Sequence, residues 1–207
     1  MKHWVMDYET LSNCFVAVFT HYKTSERKVF VIHELHNDYD DFIQFLKDNV
    51  NNKEWHISYN GLAFDAQVTQ YIIENHQQWK DYSAEQIART IYKYAQRCIH
   101  KANNKEWSDY PQWKLSVGQI DIFKMHHWDN PAKRSSLKWI QYSMDWQNIL
   151  DMPIHHDTEI TTKDQIKTII EYCINDVEST KEIFNRSKSE IILRKQLTLL
   201  QQIPNSK

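Results

Sequence analysis

Residues 3–33 read HWVMDYETLSNCFVAVFTHYKTSERKVFVIH, and this stretch sets the architecture that the rest of the chain extends. It contains three runs rich in β-branched and aromatic residues, at 4–6, 14–19 and 29–32, a composition typical of β-strands. The charged segment 23–28 lies between the last two runs and suits a hairpin connection. Three strands joined by short links predict an antiparallel meander at the start of the chain.

Helices and strands are predicted to alternate after this meander. Apolar residues within 42–50 recur at the spacing of one helix face, a short strand is centred on 55–59, and a helix covers about 64–75. A second helix opens at Ser83, with a glutamine three positions later as in a capping box. We therefore predict an α/β fold, a mixed sheet flanked by helices, with a helical and loop insertion over 80–115.

The last long helix has the clearest pattern. Thr162 opens it with a capping-box glutamine three residues later, and apolar residues then follow one helix face over 166–177. A strand is predicted before it at 117–123, and a further helical segment after it at about 187–203. No internal repeat, low-complexity tract or Pro-, Gly- or Ser-rich linker interrupts the sequence, which predicts a single domain over 1–207.

Glycine is scarce in this chain. Among 207 residues there are only two, Gly61 and Gly118, where average usage of about 7% would give roughly fourteen. Dinucleotide fingerprints, P-loops and kinase-type loops all need several closely spaced glycines. The composition therefore excludes these three kinds of nucleotide site.

Charge is unevenly distributed along the chain. The net charge is −2 at pH 7, so a global cationic field cannot be the basis of nucleic-acid binding. Residues 80–138, however, contain eleven Lys or Arg and six Asp or Glu, a balance of +5 that leaves −7 for the remainder. This distribution suits a polyanion held against a metal-carboxylate site. The alternative explanation is that the uneven charge arises by chance.

The cysteines and the apolar runs predict the cellular compartment of the protein. Cys14, Cys98 and Cys173 are far apart and lack zinc-ligand spacing, so we expect free thiols in a reducing compartment. Charges close to the N-terminus argue against a signal peptide. The longest strictly apolar run, 14–19, is too short to cross a bilayer. We expect a soluble intracellular, cytoplasmic protein with no membrane partner.

Carboxylates dominate the candidate site. Asp7 and Glu9 are two positions apart on the first predicted strand, so both side chains lie on one face. Like charges that close repel unless a cation lies between them, although exposed strand faces also carry such pairs. Asp65 opens a helix after a strand, where it either caps the helix or faces a ligand at the carboxyl ends of the strands. Tyr172 and Asp176 share one face of the last long helix, beside its apolar stripe.

The order of these motifs resembles a known family. Asp-x-Glu-Thr from Asp7, Asn-Gly-x-x-Phe-Asp ending at Asp65 and Tyr-x-x-x-Asp ending at Asp176 resemble the three exonuclease motifs of the DEDD superfamily. The tyrosine is similar to that of the tyrosine subclass (DEDDy), which includes the proofreading domains of family-A and family-B DNA polymerases. The run Tyr-Cys-x-x-Asp-Val is similar to family-B polymerases and related phage exonucleases. The resemblance spans residues 7–176 and implies a ribonuclease H-like fold.

The resemblance implies a metal-dependent 3′–5′ exonuclease that hydrolyses single-stranded DNA ends by a two-metal-ion mechanism, in DNA replication or proofreading. Four carboxylates without a Cys/His cluster suit the hard, oxygen-binding cations Mg²⁺ and Mn²⁺. By the resemblance, Asp7 bridges the two ions, and Glu9 and Asp176 hold the ion that carries the attacking water. Asp65 acts largely through water on the other ion. Tyr172, whose ordinary pKa of about 10 makes it a poor base, orients the attacking water.

The resemblance also implies substrate contacts. Thr10 and Leu11 follow Asp-x-Glu and are expected to touch the terminal nucleotide. Asn60 and Phe64 are expected to face the strand, with Phe64 stacking on a base.

Basic and aromatic residues in the second half of the chain each have two interpretations, and two histidine pairs lie there as well. Lys133, Arg134 and Lys138 suit either a phosphate backbone or a solvated helix face. Three tryptophans of the basic region either pack in the core or stack on bases: Trp107, Trp113 and Trp128. The histidine pairs 126–127 and 155–156 lack metal-ligand spacing and are assigned to loops.

Two alternative functions remain open from the residues alone. One is a 3′–5′ exoribonuclease of the same superfamily, since no ribose-contacting group can be read from the sequence. The other is a nucleic-acid-binding module that does not cleave. A DNA polymerase subunit or domain is the expected protein partner, with single-stranded DNA 3′ ends as the substrate.

Overall fold

One mixed sheet organises residues 3–127 and 135–201, which the computed structural model describes. In spatial order its six described strands are β4 (His36–Asn37), β3 (Arg27–His33), β2 (Cys14–His21), β1 (His3–Leu11), β5 (Trp55–Ser58) and β6 (Gly118–Asp121). Strands β1, β2, β3 and β4 pair in succession, each antiparallel to the next, which confirms the predicted meander. Strands β5 and β6 run parallel to β1, which confirms an α/β fold with a mixed sheet.

Helices pack against both faces of this sheet. In chain order they are α1 (Tyr39–Asn51), α2 (Asp65–Asn75), α3 (Ala84–Asn103), α4 (Ile122–His127), α5 (Leu137–Ser143), α6 (Lys163–Arg186) and α7 (Lys188–Gln201). Ser83 and Thr162 cap α3 and α6, each in the predicted capping box with the glutamine three residues later. In the described part of the chain, no helix is both long enough and apolar enough to cross a membrane.

The two faces of the sheet bury two separate cores. Strand β2 is buried almost throughout, and because side chains alternate along a strand, Phe15 and Phe19 join the core on the side of α1 to α3. Val16 and Val18 join the core on the side of α6. On β1 the odd-numbered positions face α6, as the burial of Val5 in that second core shows.

Strands β1 and β5 separate after Val5, which leaves the second half of β1 unpaired on that side. Only the first three residues of β1 pair with β5, through His3, Trp4 and Val5. Strand β5 ends at Ser58, and the chain then turns away into a short 3₁₀ turn, Gly61–Ala63, and into α2. The second half of β1 therefore borders a cleft at the carboxyl ends of β1, β5 and β6, where open α/β sheets place their ligands.

Three assignments differ from the sequence expectation. The strand expected over 117–123 ends at Asp121, because the Asp121 carboxylate accepts a hydrogen bond from the Lys124 amide and starts α4. As a result His126 and His127 belong to α4 and not to a loop. Helix α3 extends to Asn103 into a segment expected to be loop.

The segment expected at 187–203 forms α7, of which the described part is Lys188–Gln201. Residues 202–203 lie outside the described residues. So do three of the candidates for nucleic-acid contact, which are Trp128, Lys133 and Arg134.

Candidate metal centre

Asp7 and Glu9 lie on β1 where it borders the cleft. Both side chains are half-buried and, as odd-numbered positions, point to the side of α6. Burial raises the pKa of Glu9 to about 8, with further contributions from Asp176 and Asp65. The pKa of Asp7 lies well above its ordinary value, through burial and then through Asp65, Glu9 and Asp176. Three other carboxylates are therefore close enough to Asp7 to oppose its ionisation.

Asp65 reaches the same cleft from the start of α2. The preceding turn requires Gly61, since a Cβ there would lie 2.0 Å from the Ser58 hydroxyl oxygen and 3.1 Å from an Asp65 carboxylate oxygen. Asn60, before it, adopts a left-handed conformation with φ of 61°. Asp65 is only 4% exposed, and its Oδ1 has no hydrogen-bond partner in the protein. Burial raises its pKa to about 7, and nearby Asp121 adds to the shift.

Asp176 and Tyr172 approach from α6, which packs over β1 and β2. Asp176 is buried, and its Oδ1 accepts a hydrogen bond of 2.9 Å from the side-chain nitrogen of Gln141 on α5. The same nitrogen lies 2.7 Å from the hydroxyl of Ser179, so Gln141 joins α5 to α6 at the site. Burial raises the pKa of Asp176, and it raises the pKa of Tyr172 with help from the Asp176 and Glu9 carboxylates. The Tyr172 phenol is therefore neutral at physiological pH.

The structure brings the four predicted carboxylates and Tyr172 together. They come from three elements, β1, the start of α2, and α6, that are up to 169 positions apart in the chain. Asp176 raises the pKa values of Asp7, Glu9 and Tyr172, and Asp65 raises those of Asp7 and Glu9, so the five residues share one electrostatic environment.

The residues predicted to contact substrate do not all face the cleft. Asn60 is exposed and Phe64 half-buried beside the cleft, but Thr10 lies on the opposite face of β1 from Glu9. The Leu11 side chain is fully buried in the core on the α6 side, so its side chain does not face the cleft. The contacts of these residues with a nucleotide stay predictions.

Cys173, expected from the sequence to be a free thiol, is part of the cluster. Its Sγ lies 3.9 Å from Oδ2 of Asp7 and 3.5 Å from the Asp7 carbonyl oxygen. The candidate ligand atoms of Asp7, Glu9 and Cys173 all lie within 4.8 Å of one another. Burial, followed by the surrounding carboxylates, raises the pKa of this thiol well above its ordinary value. A neutral thiol donates to Asp7 and is a poor ligand for a hard cation.

Asp121 supports the turn that carries Asp65, and the sequence analysis missed it. Its Oδ1 accepts hydrogen bonds from the backbone amides of Asn60 (3.0 Å) and Lys124 (3.2 Å), and its Oδ2 accepts one from Leu62 (3.1 Å). The sequence signal was present, since an acidic residue ends a strand immediately before a helix. The partners, about 60 positions away, were not readable from that signal.

Lys138 on α5 supplies positive charge near the carboxylates. Its ammonium lowers the pKa values of Glu9 and Asp176, and its nitrogen lies 6.0 Å from the centre of the Tyr172 ring. It also forms an ion pair with Asp151, which is 96% exposed. The contact of Lys138 with a phosphate backbone stays a prediction.

A second group of candidate ligands lies away from this centre. His155, His156 and Asp157 are all exposed, in the loop before α6, and their ligand atoms lie within 4.8 Å of one another. The loop assignment of this histidine pair is confirmed. The Asp157 carboxylate already accepts a hydrogen bond from Tyr92.

Comparison of the chain with protein-family models, with curated proteins and with solved structures found no match. The function is therefore argued from the chemistry of the site.

Proposed function

We propose that this protein is a metal-dependent 3′–5′ exonuclease acting on single-stranded DNA, a member of the tyrosine subclass of the DEDD superfamily. One observation carries the proposal. Asp7, Glu9, Asp65 and Asp176, predicted from three separate motifs, lie so close together that Asp65 and Asp176 add to the burial that raises the pKa values of both Asp7 and Glu9. Such a cluster is costly for a folded protein unless cations offset the repulsion.

The donor set fits divalent cations. Carboxylate oxygens are the preferred ligands of Mg²⁺ and Mn²⁺, and Asp7, Glu9, Asp65 and Asp176 would hold them. The buried Oδ1 of Asp65, which no protein group satisfies, is a free acceptor for a cation or its water. When bound, two such ions supply activation of a water molecule and stabilisation of the charge on the attacking and leaving oxygens.

The remaining residues orient the reactants. Tyr172 is a neutral phenol, so it acts as a hydrogen-bond donor that orients the attacking water and not as a base. Gln141 holds the Asp176 carboxylate in one orientation through its 2.9 Å hydrogen bond. Lys138 offers a cation to the phosphate of the terminal nucleotide.

We also propose that the fold is ribonuclease H-like. The order β3-β2-β1-β5-β6, with β2 antiparallel and β5 and β6 parallel to β1, supports this assignment. So does the position of the carboxylates at the carboxyl ends of the parallel strands.

Digestion of single-stranded oligonucleotides labelled at the 5′ end tests the function. We expect a ladder of products shortened from the 3′ end with Mg²⁺ or Mn²⁺, and none with EDTA. Asp7→Asn and Asp176→Asn should each abolish the ladder. The control Glu171→Gln, which removes an exposed charge from the same helix as Asp176, should preserve it.

DNA and RNA versions of the same oligonucleotide distinguish the two nuclease readings. Stable binding without cleavage in both metals would support the non-catalytic module instead. Digestion that is independent of metal, or unaffected by Asp7→Asn, would contradict the proposal.

A further inference from the structure

A groove lies beside the carboxylates and has no role in the site described above. One wall is the C-terminal part of α3 and the loop that follows it, within the insertion at 80–115. The other wall is formed by the end of β5, the start of α4 and residues 135–137. The groove encloses about 790 Å³, within the range of ligand-binding sites. We call it the insertion groove, and its main lining residues are Tyr59, Asn60, Lys101, Ser108, Phe123 and Lys124.

We propose that the insertion groove binds the single-stranded DNA that precedes the 3′-terminal nucleotide, and that Trp107 stacks on a base at its rim. This inference rests on the proposed exonuclease function and assigns a role to the insertion. Three features of the groove support it: its position at the turn before Asp65, the contacts that hold its wall, and the chemistry of its lining.

The groove begins at the turn that precedes Asp65. Asn60 and Ala63 line it, and the turn they belong to leads directly into Asp65. Asp121 accepts hydrogen bonds from the backbone amides of Asn60 and Lys124, which both line the groove. A strand whose 3′ end lies at the carboxylates can therefore continue into the groove without leaving the protein surface.

The insertion wall is fastened to the helix that carries Asp65. Gln67, two residues further along α2, donates from Nε2 to the Tyr110 carbonyl at 2.9 Å and accepts from the Tyr110 amide at 2.9 Å. Asp109 forms ion pairs with Arg97 and Lys101 of α3. These contacts fix residues 109 and 110 of the loop relative to α2 and α3, so the groove is a built feature of the fold.

The lining suits bases and sugars as well as phosphates. Tyr59 and Phe123 lie edge to face, 5.7 Å apart, and asparagine and serine side chains supply hydrogen-bonding groups. The lining carries two lysines and two carboxylates, from Lys101, Lys124, Glu106 and Asp109, so charge alone does not account for binding here. Stacking on aromatic side chains binds any base and therefore suits a non-specific single strand.

Trp107 provides the most direct evidence for stacking. It stands between the lining residues Glu106 and Ser108, and it is 93% exposed. Its carbonyl oxygen accepts a hydrogen bond of 3.4 Å from Lys101, so the backbone is held while the indole projects into solvent. A tryptophan this exposed on a fastened loop contributes little to the core, and it presents a stacking surface at the rim of the groove.

The test compares a long and a minimal substrate. The long substrate is a 12-nucleotide single strand, and the minimal one is the p-nitrophenyl ester of thymidine 5′-phosphate, which reaches only the carboxylate site. Trp107→Ala should lower kcat/KM on the 12-mer about five-fold or more, mainly through KM. Trp107→Phe, which keeps an aromatic ring, should restore part of this loss. The matched control is Trp113→Ala, since Trp113 is 85% exposed on the same insertion but, unlike Trp107, has no groove-lining residue beside it in the chain.

Each outcome decides the proposal. A loss on the 12-mer for Trp107→Ala, with hydrolysis of the minimal ester and the Trp113→Ala control at wild-type level, supports it. Wild-type activity of Trp107→Ala on the 12-mer overturns it, and so does an equal loss for Trp113→Ala or an equal loss on both substrates. If the wild-type protein hydrolyses neither substrate, the exonuclease function itself fails, which is a separate result.

Discussion

Replacing Glu9 by glutamine should stabilise the metal-free protein, although it removes a proposed metal ligand. In the absence of cations, Glu9 either ionises beside three other carboxylates or keeps a proton that it would release in the unfolded chain. Both choices cost folding free energy at pH 8. A neutral amide of the same shape removes this cost. The same change should abolish the extra stability that Mn²⁺ confers on the wild-type protein.

The size of the effect follows from the pKa of Glu9. Its ordinary value is 4.5, and the folded state holds it at about 8. At about 1.4 kcal/mol per pH unit, this difference corresponds to roughly 5 kcal/mol at pH 8. The side chain is half-buried, so water screens part of the repulsion, and we expect about 2 kcal/mol. For a chain of this length, that raises Tm by roughly 4–8 °C.

Calorimetry at pH 8 in EDTA, followed by a Mn²⁺ titration, measures both effects. The control Glu171→Gln makes the same chemical change at an exposed position of α6, so its Tm should stay within about 1 °C of the wild type in EDTA, since surface changes rarely exceed ±0.5 kcal/mol. The reasoning is refuted if Glu9→Gln is no more stable than wild type without metal. It is equally refuted if Mn²⁺ raises the Tm of Glu9→Gln as much as that of wild type.

Three further predictions concern the same cleft. Tyr172→Phe should lower kcat on single-stranded DNA about ten- to a hundred-fold with little change in KM, because only the orienting hydroxyl is lost; a pH profile that loses a limb in this variant would argue for a base instead. Asp121→Asn should lower the free energy of unfolding, measured in urea, by about 1–3 kcal/mol, because an amide nitrogen cannot accept the backbone hydrogen bonds that the carboxylate accepts. A variant as stable as the wild type would show that these hydrogen bonds do not hold the turn. The metal-free wild type should lose stability, on the order of 2 kcal/mol, as the pH rises from 6.5 to 8, since folded Glu9 (pKa about 8) and Asp65 (about 7) hold protons that the unfolded chain has released. Below pH 6.5 the buried His56, whose pKa is lowered to about 3 by burial, opposes this trend, because it makes the protein less stable as the pH falls. Urea titrations in EDTA across this range measure the effects of the carboxylates and of His56. A free energy of unfolding that rises between pH 6.5 and 8 would contradict the raised pKa values of the carboxylates.

Local pattern was sufficient for most of the elements. The β-branched and aromatic runs predicted the meander, and the capping boxes at Ser83 and Thr162 predicted the starts of α3 and α6. The prediction of a strand over 117–123 was wrong because of one side-chain hydrogen bond. The Asp121 carboxylate accepts from the Lys124 amide, which ends β6 and begins α4 within a stretch whose composition is that of a strand. Propensity reports the preference of a segment, and it does not report one capping hydrogen bond.

The linear sequence by itself determined which residues of the site share a face. The two-residue period of a strand pairs Asp7 with Glu9, and the helical period pairs Tyr172 with Asp176. Only the tertiary structure decided what lies opposite them: the Cys173 thiol beside Asp7, Gln141 on Asp176, and the insertion groove beside Asp65. Periodicity constrains direction along one element, whereas these contacts join elements whose relative placement depends on how both cores pack against the sheet.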